Sequence, residues 1–107
     1  MTPVPSTTPR EVAERLRRGE RLTILDVREP FELALARLAG TLDIPMHDVP
    51  RRLAEVPRDG EVVVMCHHGH RSAVVAKWLR DQGVPAVNLA GGIARWADEV
   101  DDSVGRY

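Results

Sequence analysis

The chain has 107 residues, of which 43% are hydrophobic and 29% are charged, values close to those of average globular proteins. Fifteen basic and sixteen acidic residues give a net charge of -1, so the chain has no global electrostatic reason to bind nucleic acid or an anionic membrane. This length predicts one compact domain over residues 1–107, large enough to bury a core without disulfides or metals.

The cysteine content and the N-terminal sequence together predict a reducing compartment. The chain has one cysteine, which excludes an internal disulfide, and no apolar stretch is long enough to form a transmembrane helix. Residues 1–5 lack the basic and apolar regions of a signal peptide. We therefore expect a cytoplasmic protein, present as a monomer or a weak dimer.

The first half of the chain alternates helical and strand patterns. Thr8 and Glu11 match a capping box, and Pro9 stands at the first helical position. The run at residues 22–27 is almost continuously apolar and rich in branched side chains, which is typical of a buried parallel strand. The predicted elements are a helix from Thr8 to Gly19, this strand, a brief helix over 30–38, a turn and short strand over 40–45, and a helix over 48–56.

The second half continues the alternation. Its predicted elements are a strand over 61–65, a polar loop from Cys66, a helix from Ser72 to about Gln82, a strand over 86–89 and a helix over 93–100. Residues 101–107 are expected to be frayed, and residues 4–6 form a weak candidate for an edge strand. Short alternation of this kind predicts an α/β fold with a parallel sheet and helices on both faces.

Cys66 lies where an apolar strand gives way to a polar loop and then a helix. Such a loop directs backbone N–H groups and the positive end of the helix dipole at one point. This environment favours the thiolate, the reactive form of cysteine. We therefore expect Cys66 to act as a nucleophile that accepts groups from anionic donors.

The loop after Cys66 also predicts an anion cradle. Gly69 permits the backbone conformation that would turn the amides inward, and Arg71 offers a fork of donors to anionic oxygens. The candidate substrate-binding residues are His67, His68, Gly69, His70, Arg71 and Ser72.

The three loop histidines raise the question of a metal site. Cys66 and these histidines fall within five consecutive residues, a spacing from which four ligands cannot easily converge on one ion. We therefore expect no metal. The histidines should instead line the pocket, where partial protonation near neutral pH would attract anions.

A second polar cluster follows the strand at residues 22–27. Because ligands in parallel α/β sheets bind beyond the carboxyl ends of the strands, Asp26 and Arg28 should face the same rim as Cys66. A carboxylate and a guanidinium two residues apart at a strand end are often a buried pair that braces a neighbouring loop. We expect this supporting role for Asp26, Arg28 and the nearby Glu32.

Three motifs together resemble one known family. Residues 26–32 read Asp-Val-Arg-Glu-Pro-Phe-Glu, residues 66–72 read Cys-His-His-Gly-His-Arg-Ser, and residues 88–92 read Asn-Leu-Ala-Gly-Gly, with Trp96 following. With this order and spacing, the chain resembles a single-domain rhodanese, a sulfurtransferase, over nearly its whole length.

The resemblance implies a five-stranded, mostly parallel sheet flanked by helices on both faces, and no cofactor. It also implies that Cys66 takes sulfane sulfur from a small anionic donor such as thiosulfate, or from a persulfide. The Cys66 persulfide would pass its outer sulfur to cyanide in vitro, or to a thiol or a protein acceptor in the cell. Family members commonly carry a histidine where this chain has Arg37, a difference that concerns a local contact and partner docking.

Three other functions fit parts of the pattern. The chain could be a sulfur-relay carrier that receives sulfur from a partner protein, or a regulatory binding module that keeps the fold without the chemistry. A small phosphatase is less favoured, because related phosphatases place five residues between cysteine and arginine, whereas four separate Cys66 from Arg71. Both Cys66 and Arg71 are present, which argues against a module without activity.

Overall fold

The computed structural model describes residues 4–107 and contains one sheet of five parallel strands. Residues 1–3, part of the N-terminal segment that lacks the pattern of a signal peptide, lie outside this range. The spatial order of the strands is β1-β5-β4-β2-β3, so β4 is central. The strands are β1 (Ser6–Thr7), β2 (Leu22–Asp26), β3 (Leu42–Asp43), β4 (Glu61–Met65) and β5 (Ala86–Leu89). The predicted α/β fold and its parallel sheet are confirmed.

The described residues form four α-helices, of which three lie between strands and the fourth follows β5. Thr8 caps the first helix, because its side chain accepts a hydrogen bond from the backbone N–H of Glu11 at 3.2 Å. The helices are α1 (Pro9–Arg17), α2 (Pro30–Leu33), α3 (His70–Asp81) and α4 (Gly92–Glu99), and short 3-10 turns occupy Met46–Asp48, Leu53–Glu55 and Asp102–Val104. No helix within residues 4–107 is both long and apolar enough to cross a membrane.

The central strand β4 divides the core between the two faces of the sheet. Val62 and Val64 belong to a cluster that includes the buried face of α3, whereas Val63 and Met65 pack with residues of α1 and α4. All four side chains are fully buried. Because β4 is covered on both sides, its carboxyl end can deliver Cys66 only to the rim of the sheet.

The predicted helix over residues 48–56 is wrong. Two separate 3-10 turns, Met46–Asp48 and Leu53–Glu55, occupy this region. Pro50 lies between them and provides no N–H for a helical hydrogen bond. The helix predicted over residues 30–38 also ends early, at Leu33. Beyond that point the carbonyl of Ala36 accepts a hydrogen bond from the buried Arg28 side chain instead of continuing a helical ladder.

The segment expected to be frayed, residues 101–107, is also ordered by specific contacts. Asp101 accepts hydrogen bonds from Ser103 at the start of a 3-10 turn. The backbone carbonyl of Val104 then accepts from the N–H of Arg37 at 2.8 Å. An edge strand also forms, but as β1 over Ser6–Thr7 rather than over residues 4–6, and it pairs with β5.

Candidate active site

Cys66 immediately follows β4, and three residues separate it from helix α3. The turn depends on Gly69, which has φ of 102° and precedes the helix as its N-cap residue. A Cβ atom at Gly69 would lie 3.1 Å from the backbone nitrogen of Gly91, so glycine is required for both space and conformation. Helix α3 begins two residues earlier than predicted, at His70, which places Arg71 in its first turn.

The sulfur of Cys66 accepts hydrogen bonds from two backbone amides. The N–H of Gly69 lies 3.1 Å from Sγ and the N–H of Ser72 lies 3.4 Å from it. Cys66 is also 1% exposed, so its sulfur lies at the base of the loop rather than on the surface. This geometry can stabilise negative charge on the sulfur or on an atom attached to it.

Helix α4 keeps the carbonyl groups of the loop occupied. The N–H of Ile93 donates to the carbonyl of Cys66 at 3.0 Å, and the N–H of Ala94 donates to that of His67 at 3.1 Å. A Cβ at Gly92 would overlap these two carbonyl groups, so only glycine allows the close approach. The loop carbonyls thus bind the start of α4, which leaves loop amides free to face the sulfur.

A hydrogen-bonded chain runs from the sulfur to strand β5. The hydroxyl of Ser72 lies 3.2 Å from Sγ of Cys66 and donates to Oδ1 of Asn88 at 2.6 Å. Nδ2 of Asn88 donates to the carbonyl of Gly69 at 3.1 Å, which fixes the orientation of the amide. Asn88 therefore ties Gly69, the last loop residue, and Ser72, in the first turn of α3, to the sheet.

The fork of Arg71 is occupied by a carboxylate. Its two terminal nitrogens donate to the two oxygens of Glu32, each at 2.8 Å, in a bidentate pair. The side chain of Glu32 is only 6% exposed, whereas that of Arg71 is 37% exposed. The hydrogen bonds from Arg71 lower the pKa of Glu32 to about 2, and smaller contributions come from the N–H of Glu29 and the hydroxyl of Tyr107.

Tyr107 closes this network from the end of the described segment. Its hydroxyl donates to Glu32 at 2.8 Å and accepts from a terminal nitrogen of Arg28 at 3.1 Å. The ring stacks on His67 with the centroids 3.8 Å apart and the planes 9° apart. Burial raises the pKa of Tyr107, so the hydroxyl keeps its proton for this bond at neutral pH.

Asp26 and Arg28 form the buried pair that the sequence predicts. Both side chains are 0% exposed, and Arg28 also donates to the backbone carbonyls of Glu32 and Ala36. Burial is the largest single effect and opposes the charge of Arg28, but the hydrogen bonds and charge interactions with Asp26 and Tyr107 together outweigh it and raise the pKa of Arg28. The pair fixes the segment that carries Glu32, and neither side chain is hydrogen-bonded to Cys66.

The loop histidines differ in environment. His68 and His70 are exposed, whereas His67 is half-buried beneath the ring of Tyr107. Burial, followed by repulsion from His68, lowers the pKa of His67, so this side chain supplies little of the positive charge expected of it at neutral pH. Among residues 4–107, no group of three His, Cys, Asp or Glu side chains is arranged to hold a metal ion.

Two residues of this network were not predicted as site residues. Asn88 could have been found as the one polar side chain in the otherwise apolar strand over residues 86–89. Tyr107 had no such signal, because nothing in the pattern of residues 101–107 links it to the Cys66 loop. Glu32 was expected to have a supporting role, but its bond to Arg71 could not be read from the sequence.

Comparison with known proteins agrees with this architecture. The family model for the rhodanese-like domain matches residues 8–99. A sulfurtransferase of Allochromatium vinosum is 39% identical over 87 residues, which are 80% of this chain and 81% of that protein. The thiosulfate sulfurtransferase GlpE of Stutzerimonas stutzeri is 34% identical over 74 residues, 68% of each chain.

A solved structure is similar over the same part of the chain. The rhodanese-related protein of Thermoplasma volcanium superimposes with a TM-score of 0.83 and 33% sequence identity, covering 90% of this chain and 93% of the other. The sheet order and the strand-loop-helix at Cys66 therefore belong to a known architecture. On the family match, the sequence relatives and this superposition, the chain belongs to the rhodanese-like sulfurtransferase family.

Proposed function

We propose that this protein transfers sulfane sulfur from thiosulfate or a persulfide donor to a thiophilic acceptor through a persulfide on Cys66. The observation that carries the proposal is the sulfur of Cys66 at the end of β4, held by the amides of Gly69 and Ser72 at 3.1 and 3.4 Å. The relative from Stutzerimonas stutzeri is named a thiosulfate sulfurtransferase, which supports thiosulfate as one donor.

The first half-reaction forms the persulfide. The Cys66 thiolate attacks the outer sulfur of thiosulfate, a new S–S bond forms, and the old S–S bond breaks with its electron pair leaving on sulfite. The product is the anion Cys66–S–S⁻, so no proton is required. The loop amides, which donate to Sγ in the resting protein, are close enough to stabilise this anion.

The second half-reaction regenerates the thiolate. An acceptor such as cyanide attacks the outer sulfur, the persulfide bond breaks, and its electron pair returns to Cys66 as thiocyanate is released. A cellular thiol would receive the sulfur by the same displacement. Because the thiol must remain reduced between turnovers, a reducing compartment such as the cytoplasm suits this cycle.

Intact mass tests the cycle directly, since a persulfide can form only at the one cysteine. The desalted protein is weighed before and after incubation with thiosulfate or an organic persulfide, and again after cyanide, with Cys66→Ser in parallel. We expect the mass of one sulfur atom to appear on the wild type only and to disappear with formation of thiocyanate. No mass gain with either donor would contradict the proposal.

A sulfur-relay role is the second candidate, and one observation favours it. Phe31, next to Glu32 on α2, is a large apolar side chain that is 68% exposed, and the loop histidine His68 is also exposed. Such side chains beside the rim suit contact with a protein donor or acceptor. A relay predicts that Phe31→Ser leaves loading by thiosulfate unchanged but slows sulfur exchange with a protein persulfide, whereas equal rates would exclude this role for Phe31.

A further inference from the structure

The carboxylate of Glu32, which is held by Arg71, places a fixed negative charge beside the Cys66 loop. Each oxygen of Glu32 accepts two hydrogen bonds: Oε1 from Arg71 and Tyr107, and Oε2 from Arg71 and the N–H of Glu29. All the hydrogen-bonding capacity of the carboxylate is therefore used. A carboxylate held in this way stays ionised and stays in place.

The charges around the loop cancel. Arg71 is matched by Glu32, and Arg28 is matched by Asp26 in a second bidentate pair. One N–H of each terminal nitrogen of Arg71 is bound to Glu32, so an incoming anion must compete with Glu32 for this bidentate edge of the guanidinium. The remaining donors toward the sulfur are the neutral amides of Gly69 and Ser72.

The two classes of sulfur donor make different demands on such a site. Thiosulfate is a dianion, and its attack by a thiolate gathers three negative charges, which the products Cys66–S–S⁻ and sulfite still carry. A neutral hydropersulfide, R–S–SH, gathers one. There the Cys66 thiolate attacks the outer sulfur and forms a new S–S bond. The S–S bond of the donor breaks with its electron pair on R–S⁻, and the proton stays on the transferred sulfur. The negative charge of Glu32 opposes the reaction with thiosulfate far more than the reaction with the hydropersulfide.

We propose that Glu32 is a specificity-determining residue that disfavours dianionic sulfane donors and thereby selects organic persulfides as the substrate class. This inference rests on the proposed function, because it concerns the donor for the same Cys66 persulfide. Glu32 does so through its charge and by occupying the fork of Arg71. It is not a catalytic residue, since in this arrangement it contacts Arg71 rather than the sulfur.

The test compares two donors and two matched variants. Glu32→Gln removes the charge and places an amide N–H₂ against the donors of Arg71, which loosens the pair. Glu29→Gln removes the same unit of charge three residues away, and its side chain makes no ion pair with Arg71. For each protein, second-order rates of persulfide formation are measured by quenching and intact mass, with thiosulfate and with the hydropersulfide of an uncharged thiol.

We expect Glu32→Gln to raise the thiosulfate rate about tenfold, while the hydropersulfide rate changes by less than about twofold. Glu29→Gln should leave the ratio of the two rates close to that of the wild type. Equal changes with both donors, or a thiosulfate rate that falls in Glu32→Gln, would overturn the inference while leaving the proposed function intact. No loading of the wild type by either donor would overturn the proposed function itself, and with it this inference.

If Glu32→Gln does not fold, the wild type alone gives a second test. A dianion that approaches a thiolate whose neighbouring charges cancel should react faster as ionic strength rises, and a neutral hydropersulfide should show little salt dependence. A thiosulfate rate that falls with added salt would mean that free positive charge attracts the donor. That result would overturn the assigned role of Glu32.

Discussion

The hydroxyl of Ser72 donates a hydrogen bond to the amide oxygen of Asn88 at 2.6 Å, and the oxygen of this hydroxyl lies 3.2 Å from the sulfur of Cys66. A serine has one proton to donate, so a Ser72 that donates to Asn88 can only accept from a Cys66 thiol. The side-chain amide of Asn88 cannot flip to reverse the direction of the hydrogen bond from Ser72 without losing a contact, because its Nδ2 donates to the carbonyl of Gly69. Strand β5 thus controls the hydrogen bonding of a loop that belongs to β4 and α3.

Replacement of Asn88 tests this relationship. Asn88→Ala removes the acceptor of the buried Ser72 hydroxyl and the donor to the Gly69 carbonyl, so the free energy of unfolding should fall by about 2 kcal/mol. Persulfide loading should slow, because Gly69 is no longer tied to the sheet. Urea denaturation and the rate of mass gain measure the two effects. Asn88→Asp is the matched control, since it keeps an acceptor for Ser72 but cannot donate to Gly69; wild-type stability in both variants would contradict the assignment.

The turn at Gly69 gives a second prediction. Gly69→Ala should lower the free energy of unfolding by about 2 kcal/mol, because alanine is strained at φ of 102° and its Cβ would crowd Gly91. Loading should also slow at least about tenfold, since the Gly69 amide would shift from the sulfur. Gly40→Ala separates backbone strain from site geometry: its φ is 77° and its Cβ would meet nothing within 4 Å. It should cost about 1 kcal/mol and leave loading unchanged.

The buried pair of Arg28 and Asp26 should be far more important to stability than a surface pair. Arg28→Ala leaves the fully buried Asp26 carboxylate uncompensated, and we expect a loss of about 4 kcal/mol in the free energy of unfolding. Arg52→Ala removes an arginine that pairs with the exposed Glu55, and should cost no more than about 1 kcal/mol. Chemical denaturation of both variants makes the comparison, and similar losses would show that the buried pair is not needed.

The low pKa of Glu32 predicts a specific acid sensitivity. The pKa of Glu32 in the folded protein, about 2, lies below the ordinary value of 4.5, so its contribution to stability is present above about pH 4.5 and is lost as the pH falls toward 2. Because Arg71 is 37% exposed and partly screened by solvent, we expect this contribution to be about 2 kcal/mol. Urea unfolding of wild type and Glu32→Gln between about pH 6 and about pH 2 measures it. The difference in stability between the two proteins should shrink in acid, and a constant difference would refute the coupling.

The stack of Tyr107 on His67 predicts how His67 titrates. Burial is the main cause of the lowered pKa of His67, and the ring of Tyr107 covers it. Tyr107→Ala should therefore move the pKa of His67 up, toward its ordinary value, as followed by NMR titration of the imidazole signals. Tyr107→Phe keeps the ring and loses only the hydroxyl bonds to Glu32 and Arg28. If the pKa of His67 is lowered equally in Tyr107→Phe and in Tyr107→Ala, the stack does not bury His67.

Much of the fold could be predicted because its signals are local. The branched run at residues 22–27, the Thr8 cap and the strand before Cys66 each depend on neighbours in the chain. The predictions failed where a distant contact overrode a local pattern. The helix predicted over residues 30–38 ends at Leu33, and beyond it the side chain of Arg28 binds the carbonyl of Ala36. Residues 101–107 are held by Arg37, Arg28 and Glu32.

The sequence by itself determined the identity of the candidate nucleophile and the loop that surrounds it, because Cys66, Gly69 and Ser72 are close along the chain and a turn of that length can only fold around the sulfur. Only the tertiary structure decided which groups that loop meets. Asn88, Glu32 and Tyr107 come from three other elements, and their contacts depend on the register of the sheet and the packing of α2 and the last turn. The sequence shows which side chains are charged, but only the fold decides that Arg71 is paired with the carboxylate of Glu32.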